Sequence, residues 1–159
     1  MKILIVCSSN VCRSPYAEFH LKKQIENSKI LQENIEWVQS SAVFNRSKEI
    51  FPKTKQCLVA DGFALCDIEK FKPNYIKDNI SPYNDADIII GMTKTHKWLL
   101  KKQYKSKFMP LSTVAYGKYS SIPDPFLAVT FKQYKKSMDV IKNAIEQYAK
   151  NLELEFSKN

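Results

Sequence analysis

A chain of 159 residues with 44% apolar content is long enough for one domain with a buried core and ordinary for a globular protein. No apolar run reaches the ~20 residues that span a bilayer, and one Lys and five apolar residues before Cys7 are too few for a secretory signal, so no membrane partner is expected and a cytoplasmic protein is. The net charge of +9 comes from 23 Lys and two Arg against 16 acids; with Lys doublets at 22–23, 101–102 and 135–136 inside expected helices, it reads as solvated surface, and no nucleic-acid partner is expected.

In chain order, Lys2–Cys7 reads as a buried first strand. Ser14 suits a helix N-cap with Pro15 at the first helical position, and Ala17, Leu21 and Ile25 carry that helix to about Asn27. Ile35–Ser41 alternates as a second strand, and Pro52–Asp61 reads as a helix stopped by Gly62. Residues 71–86, rich in Asn, Asp and Pro, predict a loop with one short helix. The apolar run Asp87–Met92 predicts a central parallel strand, Lys94–Tyr104 a helix, and Lys107–Leu111 a short strand. Residues 112–129 read as a long polar loop around Pro123-Asp124-Pro125-Phe126. Phe131, Tyr134, Met138, Ile141, Ile145, Tyr148 and Leu152 then mark one face of a terminal helix. This alternation predicts a single α/β domain over 1–159. Its form is a three-layer sandwich with a central, mostly parallel four-stranded sheet and helices on both faces. Active sites of such sheets sit at the carboxyl ends of the strands. Cys7 and the loop after Leu111 both fall at that edge.

The segment Cys7-Ser8-Ser9-Asn10-Val11-Cys12-Arg13-Ser14-Pro15 carries the chemistry. A thiol ends a strand, a short loop follows, and an arginine abuts a helix start. The amides of residues 8–13 can curl around one anion, with the helix dipole adding positive potential. The same field favours a thiolate at Cys7. Arg13 offers a two-pronged ligand for phosphate oxygens and for transition-state charge. Against this stands an inert, buried Cys at a strand end. The four cysteines (7, 12, 57, 66) read as thiols and not as a disulfide framework.

The run Val6–Glu18 resembles the signature of low-molecular-weight protein tyrosine phosphatases of bacterial type. Ser41-Ala42, Asp87–Met92 and Ile122-Pro123-Asp124-Pro125-Phe126 extend the resemblance over most of the chain. It implies a two-step mechanism: Cys7 attacks phosphorus, and Asp124 protonates the leaving oxygen. A cysteinyl-phosphate forms, and Asp124 then activates water. Ser8, Ser9, Asn10, Val11, Cys12 and Arg13 would hold the phosphate, with Phe126 stacking on the substrate. Asn10, Ser14 and Ser41 would brace the loop, with Asn10 in a left-handed conformation and Ser14 donating to Cys7. Cys12 is the redox candidate, able to close a disulfide with Cys7. No cofactor or metal is implied. A phosphotyrosine protein is the implied substrate, a bacterial tyrosine kinase a candidate partner, and inorganic phosphate the product.

The chain departs from that pattern at several points. Ser8-Ser9 stands where the family places an apolar residue and Gly, so Ser9 must take an ordinary backbone conformation or strain the loop. Val43 replaces another Gly, Phe126 replaces Tyr, and Phe44 is the candidate for a further aromatic wall. Met92-Thr93-Lys94-Thr95-His96 resembles branches that include polysaccharide-export phosphatases and protein arginine phosphatases. The arginine-specific branch favours Thr where Val11 stands, which points to phosphotyrosine. The alternatives are an arginine phosphatase, a thioredoxin-linked arsenate reductase, for which Cys57 and Cys66 lie too early in the chain and read as core packing, and a catalytically weak phosphate-binding module. A Cys protease would need His20 or His96, both expected at a helix surface or cap, as its base.

Overall fold

The structure, a computed structural model, describes residues 1–158. Strand β1 (Lys2–Cys7) leads through the Cys7 loop into helix α1 (Arg13–Glu26). A short α2 (Lys29–Asn34) precedes strand β2 (Trp37–Ala42), and α3 (Pro52–Ala60) and α4 (Leu65–Lys70) follow. Next come α5 (Ser81–Asp85), strand β3 (Ile88–Gly91), α6 (Thr95–Leu99) and a 3-10 turn at Lys102–Lys107. Strand β4 (Phe108–Pro110) and α7 (Leu111–Tyr116) lead to a 3-10 turn at Pro125–Leu127 and the terminal helix α8 (Phe131–Phe156). The four strands form one sheet in the order β2-β1-β3-β4, and every pair is parallel.

The pleat divides the core in two. Ile3, Ile5 and Cys7 face α1, α3 and α8, whereas Leu4 and Val6 face a second cluster with Tyr83, Ile89, Leu100, Tyr104 and Phe108. Burial on both faces explains why β1 reads as a continuous apolar run. Helix α8 buries Tyr134, Met138, Ile141, Ile145, Tyr148 and Leu152 along one stripe, the face expected from the spacing, while Phe131 at its start stays exposed.

Several elements differ from the sequence expectation. Helix α1 starts at Arg13 with Cys12 at the N-cap position, and Ser14 makes no capping bond because its hydroxyl is engaged elsewhere. The segment expected as one helix from Lys94 breaks at Leu100, an extended residue whose side chain is buried in the second cluster. Core burial of one apolar residue outweighed the helical propensity of the lysines around it. The loop at 112–129 contains α7, ended by Gly117 at φ 72°, and α2 and α4 were not anticipated. Each is only six residues long, too short for a clear apolar period.

Candidate active site

From β1 the chain moves sideways to β2, and from β3 it moves the other way to β4. The two connections diverge between β1 and β3, so a crevice opens at the carboxyl ends of those strands. Cys7 ends β1 at that crevice. A cleft of about 320 Å³ there is lined by Cys7, Ser8, Ser9, Val11, Cys12, Arg13, Asn45, Asp124 and Phe126. Asn45 was not anticipated. Its side chain donates to Ser9 Oγ at 3.1 Å, and its amide donates to the Ser8 carbonyl.

The loop after Cys7 turns its carbonyls outward. Those of Cys7, Ser8, Val11 and Cys12 accept from the amides of Val43, Phe44 and Asn45, Phe51 and Tyr16. Among the described residues, no backbone amide from 8 to 13 donates to another part of the protein, so this stretch is left with donors for an anion.

Asn10 holds the loop in shape. It is fully buried at φ 54°, and no other residue besides glycine takes a positive φ among the described residues. Ser9 therefore fits an ordinary backbone, and the missing glycine leaves no left-handed strain there. Asn10 Oδ1 accepts the Asn74 amide at 2.9 Å, which fixes the orientation of its side chain. Its Nδ2 then donates to Ser14 Oγ at 2.9 Å and to Ser40 Oγ at 2.7 Å. Ser14 accepts that bond, which leaves its own hydrogen for Cys7 Sγ, 3.0 Å away. Ser41 joins the network at one remove. It accepts from Asn74 Nδ2, while its neighbour Ser40 makes the direct contact with Asn10. The parity of β2 decides which serine faces the loop, and nothing in the residue type signals it. Asn74 lies in an irregular segment that carries no motif.

Arg13 Nη2 and Asp124 Oδ2 are 3.1 Å apart, bringing together residues 111 positions apart in sequence. Asp124 Oδ1 accepts the Phe126 amide, and the Phe126 ring packs on Phe51 with centroids 5.0 Å apart. Phe126 is half exposed at the mouth of the cleft. Phe44, the expected aromatic wall, is exposed and does not line the cleft.

Both histidines are buried, contrary to a surface role. His96 Nδ1 accepts the Thr93 amide, so the ring proton sits on Nε2 and is donated to Ser8 Oγ at 3.3 Å. Burial, followed by the charge of Arg13, pulls His96 down to about 4. His20 also lies near 4, mainly through burial. It bonds to Asp61, away from the cleft. Cys12 is buried under Tyr134 and Thr54, and burial pushes its thiol up to about 11. Cys57 is buried, Cys66 is exposed, and neither lines the cleft.

A parallel sheet that delivers a thiol to an amide-lined loop opening a helix is the architecture of a phosphate-handling cysteine site. The chain belongs to the family described as low molecular weight phosphotyrosine protein phosphatase, which it matches over residues 2–158. These are phosphoric monoester hydrolases. The chain is 29% identical over 158 residues to the protein-arginine-phosphatase of Bacillus subtilis, covering 96% of this chain and 97% of that one. It is also 29% identical over 148 residues to the low molecular weight protein-tyrosine-phosphatase PtpB of Staphylococcus epidermidis, covering 92% and 96%. Among solved structures it superposes on YwlE arginine phosphatase bearing a phosphorylated active-site serine, with TM-score 0.80, 27% identity and coverage of 96% and 95%. YwlE arginine phosphatase from Geobacillus stearothermophilus gives TM-score 0.81 at 24% identity, covering 99% and 96%, a likeness of fold.

Proposed function

We propose that the chain hydrolyses phosphotyrosine in proteins through a cysteinyl-phosphate intermediate. One observation carries this reading. Cys7, a loop of undirected amides, Arg13 and Asp124 converge on one cleft, although Asp124 comes from a loop 117 positions after Cys7. The Cys7 thiolate attacks phosphorus, and the S–P bond forms as the P–O ester bond breaks. Asp124 gives its proton to the departing phenolate oxygen. Water then attacks the phosphocysteine and yields its proton to Asp124, releasing inorganic phosphate and the thiolate. Arg13 and the amides of residues 8–13 hold the equatorial oxygens through both steps. Ser14 donates to the thiolate whenever it is the leaving or attacking group. Cys12 serves as the resolving thiol: once a peroxide has oxidised the Cys7 thiolate to a sulfenic acid, the Cys12 thiol condenses with it to give a disulfide and water.

Phosphotyrosine is favoured over phosphoarginine by Val11, which lines the cleft with no hydroxyl, and by Phe126 at its mouth. The two curated relatives, equal in identity, weigh the same on either side. The test is turnover of phosphotyrosine and phosphoarginine peptides by wild type, Cys7→Ser and Asp124→Ala. Wild type is expected to favour phosphotyrosine in kcat/KM, and Cys7→Ser to abolish turnover. Asp124→Ala is expected to slow esters with poor leaving groups by roughly 100-fold, a general-acid effect. Full activity in Cys7→Ser overturns the mechanism. A higher kcat/KM for phosphoarginine overturns the specificity.

A further inference from the structure

The charge of this protein is concentrated. Residues 88–123 hold seven lysines (94, 97, 101, 102, 105, 107 and 118) and no Asp or Glu, a net +7 in 36 residues. The other 123 residues hold 18 Lys and Arg against 16 acids, a net of +2. The basic segment builds β3, α6 and β4, and β4 is the edge of the sheet. A groove of about 430 Å³ runs along that edge, walled by Trp98, Tyr119, Met109 and Pro110 and rimmed by Lys94 and Lys97. Trp98 is 79% exposed, an unusual position for an indole in a soluble protein. Lys94 Nζ lies 4.2 Å from the Tyr119 ring centroid, and Lys105 Nζ lies 5.5 Å from that of Trp98. Among the described residues, none of Lys94, Lys97 and Lys105 has a carboxylate partner within 4.0 Å.

The groove adjoins the proposed catalytic cleft through two elements. Helix α6 turns His96 toward Ser8 and carries Lys97 and Trp98 on its exposed side. The segment from Tyr119 runs on to Asp124, pinned by the Ile122 amide on the Met92 carbonyl.

We propose that this groove is a docking surface for an acidic segment of the phosphoprotein substrate, with an apolar or aromatic side chain against Trp98 and carboxylates on the lysine rim. The occupant follows from charge complementarity: a field this one-sided selects an anionic chain. The concave apolar wall and the edge strand suit a peptide. Nucleic-acid readers rely on Arg forks, and both arginines of this chain are committed elsewhere, Arg13 in the cleft and Arg46 with Asp78. The assignment of the occupant as substrate rests on the phosphatase reading; the binding of an acidic peptide does not.

The test has two arms. First, an unphosphorylated peptide with four Glu around one Phe is titrated against wild type, Trp98→Ala and a Lys94→Glu, Lys97→Glu, Lys105→Glu triple variant. Binding is followed by anisotropy of a dye on the peptide. About tenfold weaker binding is expected in the triple variant, because three cations on the rim become anions, and binding is expected to weaken with salt. Secondly, hydrolysis of p-nitrophenyl phosphate is compared with that of an acidic phosphotyrosine peptide. The triple variant should raise KM for the peptide about tenfold, with its kcat and the small-ester rate unchanged. Circular dichroism shows whether each variant is folded. Undiminished peptide binding in a folded triple variant overturns the docking surface. So does a higher affinity of wild type for single-stranded RNA or phosphatidylserine vesicles than for the peptide. Peptide binding without turnover of any phosphate by wild type sinks the phosphatase reading and leaves the groove standing.

Discussion

At the residue scale, Asn10 separates backbone conformation from side-chain bonding. Glycine tolerates its positive φ equally well, but only an amide makes the three bonds to Asn74, Ser14 and Ser40. Asn10→Gly is therefore expected to lower stability by about 3 kcal/mol, since buried partners are left unmet, and urea unfolding measures it. No loss of stability would mean that water replaces the amide. Val11 tests specificity at the same scale: Val11→Thr is expected to raise kcat/KM for phosphoarginine relative to phosphotyrosine at least threefold, by adding a hydroxyl to the cleft wall. The left-handed backbone of Asn10 was expected from the family resemblance, and Asn is a residue type that tolerates it. Asn45 and Asn74 were not, because an Asn in an irregular segment is compatible with many turns, and only the fold shows what it meets.

At the element scale, the carboxyl end of β3 depends on a missing side chain. A Cβ added at Gly91 would meet the Phe108 ring at 2.3 Å, and Phe108 is buried in the second core cluster. Gly91→Ala should cost roughly 1–3 kcal/mol in chemical unfolding, through forced displacement of that ring. Helix α8 starts with a capping box between Thr130 and Gln133, directly after the segment that carries Asp124. Thr130→Ala is expected to cost about 1 kcal/mol, and a change under 0.3 kcal/mol would show that the cap carries little. The long helices and β1 to β3 were legible because their apolar spacing spans several turns or a full strand. The break at Leu100 and the short α7 were hidden, since both depend on which apolar residue finds the core.

At the scale of the whole molecule, Asp61 ties three helices together. It ends α3 and accepts from Tyr16 and His20 of α1 and from Lys135 of α8, with Lys142 3.7 Å away. Burial opposes its charge, but these partners outweigh it and hold the carboxyl below its ordinary value. His20 and His96 are held neutral down to about 4, so between pH 6.5 and 4 the unfolded chain binds protons that the folded chain does not. Stability then falls as pH falls through that window, by up to about 1.4 kcal/mol per pH unit for each histidine. Below it, protonation of Asp61 removes more. Urea midpoints measured from pH 7 to pH 4 check this. A flat profile would contradict the buried neutral histidines, and His96→Gln should reduce the slope.

The residues of the chain by themselves determined the kind of site. A thiol at the end of an apolar strand and an arginine six positions on at a helix start point to an anion cradle, while the part of Asp124 came from the family resemblance alone. They also determined the layered α/β class, because periodicities of two and near 3.6 alternate along the chain. Tertiary structure alone decided what those residues touch. It set Ser40 and not Ser41 against Asn10, buried His96 behind Ser8, paired Arg13 with Asp124, and placed Lys94 and Lys97 beside Trp98 and Tyr119 in one groove. The physical reason is that local propensity acts over a few residues. Side-chain contacts follow from strand order, sheet parity and competition for the core, which are settled only when the whole chain folds.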